Sequence, residues 1–359
     1  MRYVIVTGEV SGDQIGAAIA AALMAKDSAA QLYAMGGQEL RRAGAEIIQD
    51  NTDLAIMGFS SLPKKALQVR DVYRNMCAAI ERIQPDVIIY VDFAGFNLRL
   101  GRWAKKRAYK NVYIAPPKTW ASRSWRNRAI QRDFDLLITL FPFANEYFSS
   151  QGLNSTFCGH PLLQSLQPAT ASEDQNAILI APGSRTQEIE STLPVLREFI
   201  IQSPQRNFIL SKVASQSPTF YSSYLDGLEN VTISEEPLQH LLRQVDLAII
   251  TSGTATLEAA IIGVPQVVIY RTSTLNYQIA KRLIKTDYIS LPNLILNKKV
   301  VPELIQADLT SKKLIKAIDN LTLKRENILD DYSQIRQLYK QHDSANEIAT
   351  AIMAQTITI

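Results

Sequence analysis

The chain has 359 residues, 47% of them hydrophobic and 20% charged, with 38 Lys and Arg against 34 Asp and Glu. These values suit a soluble globular protein with room for two domains, each with its own core. Two cysteines far apart, Cys77 and Cys158, exclude a disulfide framework and point to a reducing cytoplasm. No run of about 18 apolar residues offers a membrane span. The N-terminal MRYVIVTGEVSGD enters a strand pattern directly, without the apolar stretch and cleavage site of a signal peptide.

Charge is unevenly spread. Between Arg99 and Arg132 stand 11 Lys and Arg and no acidic residue, whereas the remainder holds 27 basic and 34 acidic residues. An otherwise acidic chain therefore carries one basic segment. All three tryptophans, Trp103, Trp120 and Trp125, fall inside it.

In chain order, Arg2–Thr7 reads as a strand, Gly8–Asp13 as a Gly/Ser turn, and Gln14 to Lys26 as a helix. The turn lacks the GxGxxG spacing of a dinucleotide site. Leu32–Met35 is strand-like. Asp53–Gly58 is a loop with apolar side chains, Met57 among them, suited to loop packing or to lipid. A helix is expected from Lys64 to Ile83, then the strong strand Val87–Val91, which ends in Asp92. Ligands of open parallel sheets sit beyond the carboxyl ends of strands, so Asp92 is a candidate site carboxylate as well as a candidate loop brace. The basic segment reads as helix (Leu98–Ala108), strand (Asn111–Ala115), loop (Pro116–Arg123) and helix (Trp125–Arg132). Asp135–Thr139 is a further strand, and residues 161–176 are a polar linker.

The second half repeats the alternation, with strands at Ala177–Ala181, Asn207–Leu210, Val231–Ile233, Leu247–Ile250 and Gln266–Ile269. The stretch Ile249–Tyr270 is strand, small-residue turn, helix, strand. Its turn, Ser252-Gly253-Thr254, offers hydroxyls, free N–H groups and a positive helix end, which suit a phosphate. Glu258 lies one helical turn further on, where a carboxylate can hold a ribose. Past Asp308 the pattern is helical only. Two runs of alternating strand and helix indicate two doubly wound α/β domains. Their expected limits are 1–165, 166–308 and a helical tail 309–359 that packs at least partly on the first domain.

GEVSGD (8–13), LAIMG (54–58), PDVIIYVDFAGFN (85–97), FPF (141–143), FCGHP (157–161), PGSRTQEI (182–189), SGTATLEAA (252–260), KRLIKTDYISLPNLI (281–295) and VPELIQ (301–306) occur in this order. In that ordered set the chain resembles the lipid-A-disaccharide synthases, bacterial glycosyltransferases. The resemblance implies a GT-B fold, with two Rossmann-like doubly wound parallel-sheet domains facing across a cleft. It implies inverting transfer of 2,3-diacylglucosamine from its UDP derivative to 2,3-diacylglucosamine 1-phosphate, giving a disaccharide 1-phosphate and UDP. It also implies a peripheral site of action on the cytoplasmic face of the inner membrane. Two departures stand out: Ala94-Gly95 where the family often has Pro-Asp, and Ser122 where it often has an aromatic residue.

On the same footing, Asp92 is the expected general base, with Glu9 and then Asp13 as further candidate carboxylates. His160 is expected to fix a loop more than to act as a base. Gly183, Ser184, Arg185, Ser252, Gly253, Thr254 and Glu258 are expected to hold UDP and its diphosphate, and Asn293 to orient substrate or phosphate. Ser11, Met57, Trp103, Trp120, Arg123, Trp125 and Arg126 are expected on the acceptor and membrane side. No metal or other cofactor is expected, and no nucleic-acid motif accompanies the basic segment. A homodimer stays open. The competing readings are another GT-B enzyme on a UDP-sugar, and a lipid-binding protein that has lost catalysis.

Overall fold

The computed structural model describes residues 1–50, 62–169, 174–213, 216–273, 277 and 286–356. It divides into two compact units, Met1–Gln164 with Tyr339–Ile359, and Ser165–Leu338. Met57 lies outside the described residues.

The first unit opens with β1 (Arg2–Val6), α1 (Val10–Lys26), β2 (Gln31–Gly36), α2 (Gln38–Arg42), β3 (Glu46–Asp50) and α3 (Leu62–Ile83). It continues through β4 (Val87–Val91), α4 (Ala94–Lys105), β5 (Lys110–Ile114), α5 (Asn127–Asp133), β6 (Leu136–Thr139), α6 (Pro142–Ser150) and β7 (Ser155–Phe157). All seven strands pair in parallel in the order β3-β2-β1-β4-β5-β6-β7. Alternate residues serve the two faces, as a strand's period of two requires. Tyr3, Ile5, Ile89 and Val91 pack with Ile15 and Ile19 of α1, while Val4, Val6, Ile88 and Tyr90 pack with Met76 and Ile80 of α3 and Leu100 of α4. Both faces being covered explains why the strands are continuous apolar runs.

Two helices start earlier than their sequence patterns suggest. α1 takes in Ser11, Gly12 and Asp13. Asp13 is buried there, and its carboxylate accepts hydrogen bonds from the N–H groups of Gly37 (2.6 Å) and Glu39 (2.9 Å). α4 starts at Ala94, because Phe96 and Asn97 donate their N–H groups to the carbonyl of Phe93.

The second unit runs β8 (Asp174–Ala181), α7 (Thr186–Ile201), β9 (Asn207–Ser211), α8 (Pro218–Leu225), β10 (Val231–Ser234), α9 (Leu238–Gln244), β11 (Val245–Thr251) and α10 (Ala255–Ile262). β12 (Gln266–Tyr270), α11 (Leu291–Leu296), β13 (Glu303–Ile305), α12 (Ser311–Leu323) and α13 (Arg325–Lys340) follow. Its sheet is parallel in the order β10-β9-β8-β11-β12-β13. β8 begins inside the stretch expected to be linker.

The helical tail divides between the units. α12 and α13 up to Leu338 belong to the second, and from Tyr339 the chain belongs to the first. There the buried Tyr339 hydroxyl donates to the carbonyl of Leu140 at 3.0 Å. α14 (Ser344–Ala354) lies on α1, with Ile348, Ala349 and Ile352 in the core beside Ile19 and Leu23.

Candidate active site

In both sheets the strand order reverses once, between β1 and β4 and between β8 and β11. Such a switch point leaves a crevice at the carboxyl ends of the two strands, because their connections leave in opposite directions. In the first unit it is flanked by the Gly8–Asp13 stretch after β1 and the Asp92–Asn97 stretch after β4. In the second, the Gly183–Arg185 turn follows β8 and the Ser252–Thr254 turn follows β11.

Asp92 and Phe93 have φ of +48° and +47°, two successive left-handed residues of which neither is glycine. That conformation stores strain, and surrounding contacts have to hold it. The Asp92 carbonyl accepts from the Tyr113 hydroxyl (2.7 Å) and from Asn97 Nδ2 (2.8 Å), while its N–H donates to Ile114 (3.0 Å). Phe93 stacks on Phe96 with centroids 5.5 Å apart. Its ring also fills the space over Gly8, where an added Cβ would stand 2.2 Å from Phe93 Cγ. Glycine at position 8 is thus what lets the two turns meet.

The Asp92 side chain is solvent-accessible but hemmed in by protein. Desolvation raises its carboxyl above the ordinary 3.8, opposed by the Lys118 charge and the Phe93 N–H. Lys118, in the loop after β5, is a site residue that composition alone did not single out. Glu9 is exposed at the N-cap of α1 and makes no side-chain capping bond, and Ser11 beside it is exposed too. Asp13 is committed to the β2–α2 turn, with both carboxylate oxygens bonded to its N–H groups, and does not serve as a base. His160 is buried, accepts from the Leu162 N–H at 3.3 Å, and has its pKa lowered by desolvation to about 4. It is a neutral loop-fixing residue.

The tryptophans separate. Trp120 stands edge-on to Phe143 with centroids 4.9 Å apart, and Phe143 stacks on Phe141 at 5.7 Å, making an aromatic cluster at the carboxyl ends of β5 and β6. Phe141 and Phe143 are members that sequence reasoning gave no role. Trp125 is 71% exposed in the 3₁₀ turn Ser124–Arg126, with the Arg126 guanidinium 5.4 Å over its ring and Arg123 exposed beside it at φ +59°. Trp103 does not join them. It sits near the C-terminal end of α4, about 13 Å along that helix from its start, stacked on Tyr109 and covered by Arg107 at 4.4 Å. Trp103 is thus set apart from Trp120 and Trp125, with which the sequence groups it. The basic segment is likewise not one face, since Lys105 pairs with Asp135, Arg107 with Glu81 and Arg132 with Asp133.

In the second unit Gly183 has φ of +114°, and an added Cβ there would stand 2.9 Å from Glu188 Oε2 and 3.4 Å from Thr251 Cγ2. Glycine suits position 183 chiefly for that left-handed φ, which strains any side chain. Ser184 and Arg185 are exposed, and Arg185 reaches Glu188 at 2.8 Å. Gly253 is exposed, and an added Cβ would meet nothing closer than 4.0 Å. Thr254 is exposed, and its side chain makes no capping bond to α10. Thr251 Oγ1 is buried with no hydrogen-bond partner among the described residues. Glu258 is half-buried; desolvation raises its carboxyl above 4.5, opposed by a hydrogen bond from Gln239. Gln239 is a further neighbour that sequence reasoning missed.

Ser252 and Asn293 depart from expectation. The Ser252 hydroxyl donates to the Ile289 carbonyl at 2.7 Å and its N–H to Ile269 at 3.1 Å, so its donors are taken. Asn293 is fully buried, and its amide binds Val300, Val301 and Glu303 at 2.8–3.0 Å. No donor or acceptor remains for a substrate, so its part in this structure is to tie α11 to the stretch 300–303 that enters β13. Among the described residues no group of three or more His, Cys, Asp or Glu is arranged to hold a metal, and no helix is long and apolar enough to cross a membrane.

Comparison with known proteins fits this geometry. The family described as Lipid-A-disaccharide synthetase matches residues 3–357. The chain is 33% identical to a lipid-A-disaccharide synthase of Trichlorobacter lovleyi over 336 residues, covering 89% of this chain and 88% of that one. It is 30% identical to that of Syntrophus aciditrophicus over 375 residues, covering 98% and 97%. Among solved structures, the glycotransferase of kitacinnamycin superposes with a TM-score of 0.71 at 15% identity, covering 99% of each chain. A UDP-GlcNAc 2-epimerase from Neisseria meningitidis, bound to UDP-GlcNAc, gives 0.70 at 12% identity, covering 99% and 100%. The two doubly wound parallel-sheet units and these likenesses give the GT-B fold class. By the match along nearly its whole length, the chain belongs to the lipid-A-disaccharide synthetase family, glycosyltransferases of lipid A biosynthesis.

Proposed function

We propose that the protein joins UDP-2,3-diacylglucosamine to 2,3-diacylglucosamine 1-phosphate with inversion at the anomeric carbon, releasing UDP. The observation that carries this reading is the strained, twice-clamped Asp92 at the switch point of the first unit, in a chain of this family. The acceptor hydroxyl attacks the anomeric carbon, the bond to the diphosphate breaks, and Asp92 takes the hydroxyl proton. A carboxylate raised by desolvation is better matched to that task than an ordinary one. Glu9, exposed at the facing turn, is the second carboxylate within the same crevice.

UDP is assigned to the second unit. The exposed Ser184 and Arg185 and the open space over Gly253 support a diphosphate there. Arg185 pairs with Glu188 at 2.8 Å, and in this reading the diphosphate competes for that guanidinium. Glu258, steadied by Gln239, holds the ribose. Acyl chains and an anionic inner-membrane surface are assigned to the side of Trp120, Arg123, Trp125 and Arg126, where a tryptophan is exposed among cations. Each of those cations contributes about 1 kcal/mol near an anionic bilayer.

Equal amounts of UDP and disaccharide 1-phosphate from these two substrates in detergent micelles are the expected result. UDP without disaccharide identifies a hydrolase or another acceptor. UDP binding without turnover of this pair identifies an enzyme of a different UDP-sugar.

A further inference from the structure

The stretch VPELIQ is the one sequence motif to which the proposed chemistry gives no part, and its Glu303 has an unusual set of partners. Glu303 lies on β13, the edge strand, two strands away from the Ser252–Thr254 turn. Its carboxylate accepts from the N–H of Ser290 (2.9 Å), the hydroxyl of Ser290 (2.6 Å), Nδ2 of Asn293 (2.8 Å) and the N–H of Ile289 (3.1 Å). Every donor comes from one short stretch, 289–293, at the start of α11. Among the described residues no Lys or Arg pairs with it; its partners are the neutral donors of that stretch.

That loop is in turn the support of the nucleotide turn. The Ile289 carbonyl accepts the Ser252 hydroxyl at 2.7 Å, and the Leu291 N–H donates to Thr256 Oγ1 at 3.3 Å. The same Thr256 hydroxyl donates to the Gly253 carbonyl at 2.7 Å. Ser252 and Gly253 are thereby pinned from below. The N–H groups of Gly253, Thr254 and Ala255 find no partner among the described residues, so they remain for an anion.

We infer that Glu303 is a positioning residue for nucleotide binding: through Ile289, Ser290 and Asn293 it fixes the Ser252 and Thr256 hydroxyls, and so presents the N–H groups of Gly253, Thr254 and Ala255 to the diphosphate. This rests on the assignment of UDP to the second unit. It also gives Asn293 a part in the reaction without substrate contact. The physical ground is preorganisation, since a turn already held in its binding shape spends no affinity on being ordered.

The test is titration of the full-length protein with UDP, comparing wild type, Glu303→Gln, Ser252→Ala and the double variant, with the melting temperature of each. Glu303→Gln replaces an acceptor by an amide donor facing the Ile289, Ser290 and Asn293 donors. Loss of UDP affinity by about tenfold is expected, the scale of one buried hydrogen bond to a charged group. The double variant is expected to bind UDP no more weakly than the weaker single variant, because both changes break one chain of contacts. Should Glu303→Gln fail to fold, Ser290→Ala removes the 2.6 Å contact alone and is expected to weaken UDP binding by a smaller factor. A lowered melting temperature with unchanged UDP affinity would make Glu303 a purely structural residue and overturn the inference. Fully additive losses would overturn it too, by giving Glu303 a route that bypasses Ser252. A wild-type protein that binds no UDP would instead overturn the nucleotide assignment beneath it.

Discussion

Asp92 carries two conflicting demands, one from stability and one from catalysis. Its folded-state pKa is raised above 3.8, chiefly by desolvation. A carboxyl raised on folding favours the folded state while protonated, and that contribution is lost as pH rises through the folded-state pKa. At neutral pH the ionised Asp92 is therefore destabilising. Asp92→Asn is expected to raise the melting temperature at pH 7, helped by the tolerance of asparagine for a left-handed backbone. It is also expected to remove the base. Transfer by the wild type should fall as pH drops through the raised pKa. His160 has the opposite sign. Its pKa is lowered to about 4, so its contribution is complete above the ordinary 6.5 and is lost as pH falls from there through about 4. The stability at stake is ~3 kcal/mol, and unfolding midpoints taken from pH 7 to 4.5 should fall less steeply in His160→Asn than in the wild type. Gly95, where the family resemblance leads one to expect a second carboxylate, is exposed, and an added Cβ meets nothing within 4 Å. The first turn of α4 holds no acidic residue. Gly95→Asp should fold with stability equal to or above wild type by ~0.5 kcal/mol, read from thermal unfolding.

At the scale of elements, the split of the basic segment gives a contrast between two tryptophans. Trp125→Ala should reduce sedimentation with anionic vesicles several-fold and leave the melting temperature nearly unchanged, because the ring is 71% exposed. Trp103→Ala should do the reverse, since its ring is packed between Tyr109 and Arg107; a loss of about 2 kcal/mol with vesicle binding intact is expected. Equal effects of the two on vesicle binding would contradict the division. This division was not legible in the sequence, where both residues sit in one run of cations. It depends on α4 running from the carboxyl to the amino end of the sheet, which places its two ends on opposite edges. The apolar runs of β1, β4, β8, β11 and β12 were legible because strands covered on both faces need no polar residue. β3, β7 and β13 escaped notice, being edge or short strands such as Ser155–Phe157 with no apolar run. The early starts of α1 and α4 were hidden because glycine, serine and asparagine normally read as turn.

For the whole molecule, motif order carried the family, and the parallel alternation carried the two-unit architecture. The supporting contacts were beyond reach of sequence, because each joins positions far apart in the chain. Tyr113 clamps Asp92 from the next strand, and Glu303 holds Asn293 and Ser290 across a turn. Asn293 shows the cost of that blindness, since its motif suggested substrate contact while its amide is fully occupied within the protein. The central claim is that this chain forms the disaccharide with Asp92 as the base. Its most direct measurement is disaccharide 1-phosphate formation from UDP-2,3-diacylglucosamine and 2,3-diacylglucosamine 1-phosphate, by wild type and Asp92→Asn side by side in micelles containing EDTA. Product is expected from the wild type and a rate lower by about 10²–10⁴-fold from the variant, with UDP binding retained. Wild-type turnover by Asp92→Asn, or no disaccharide from the wild-type protein, would contradict it.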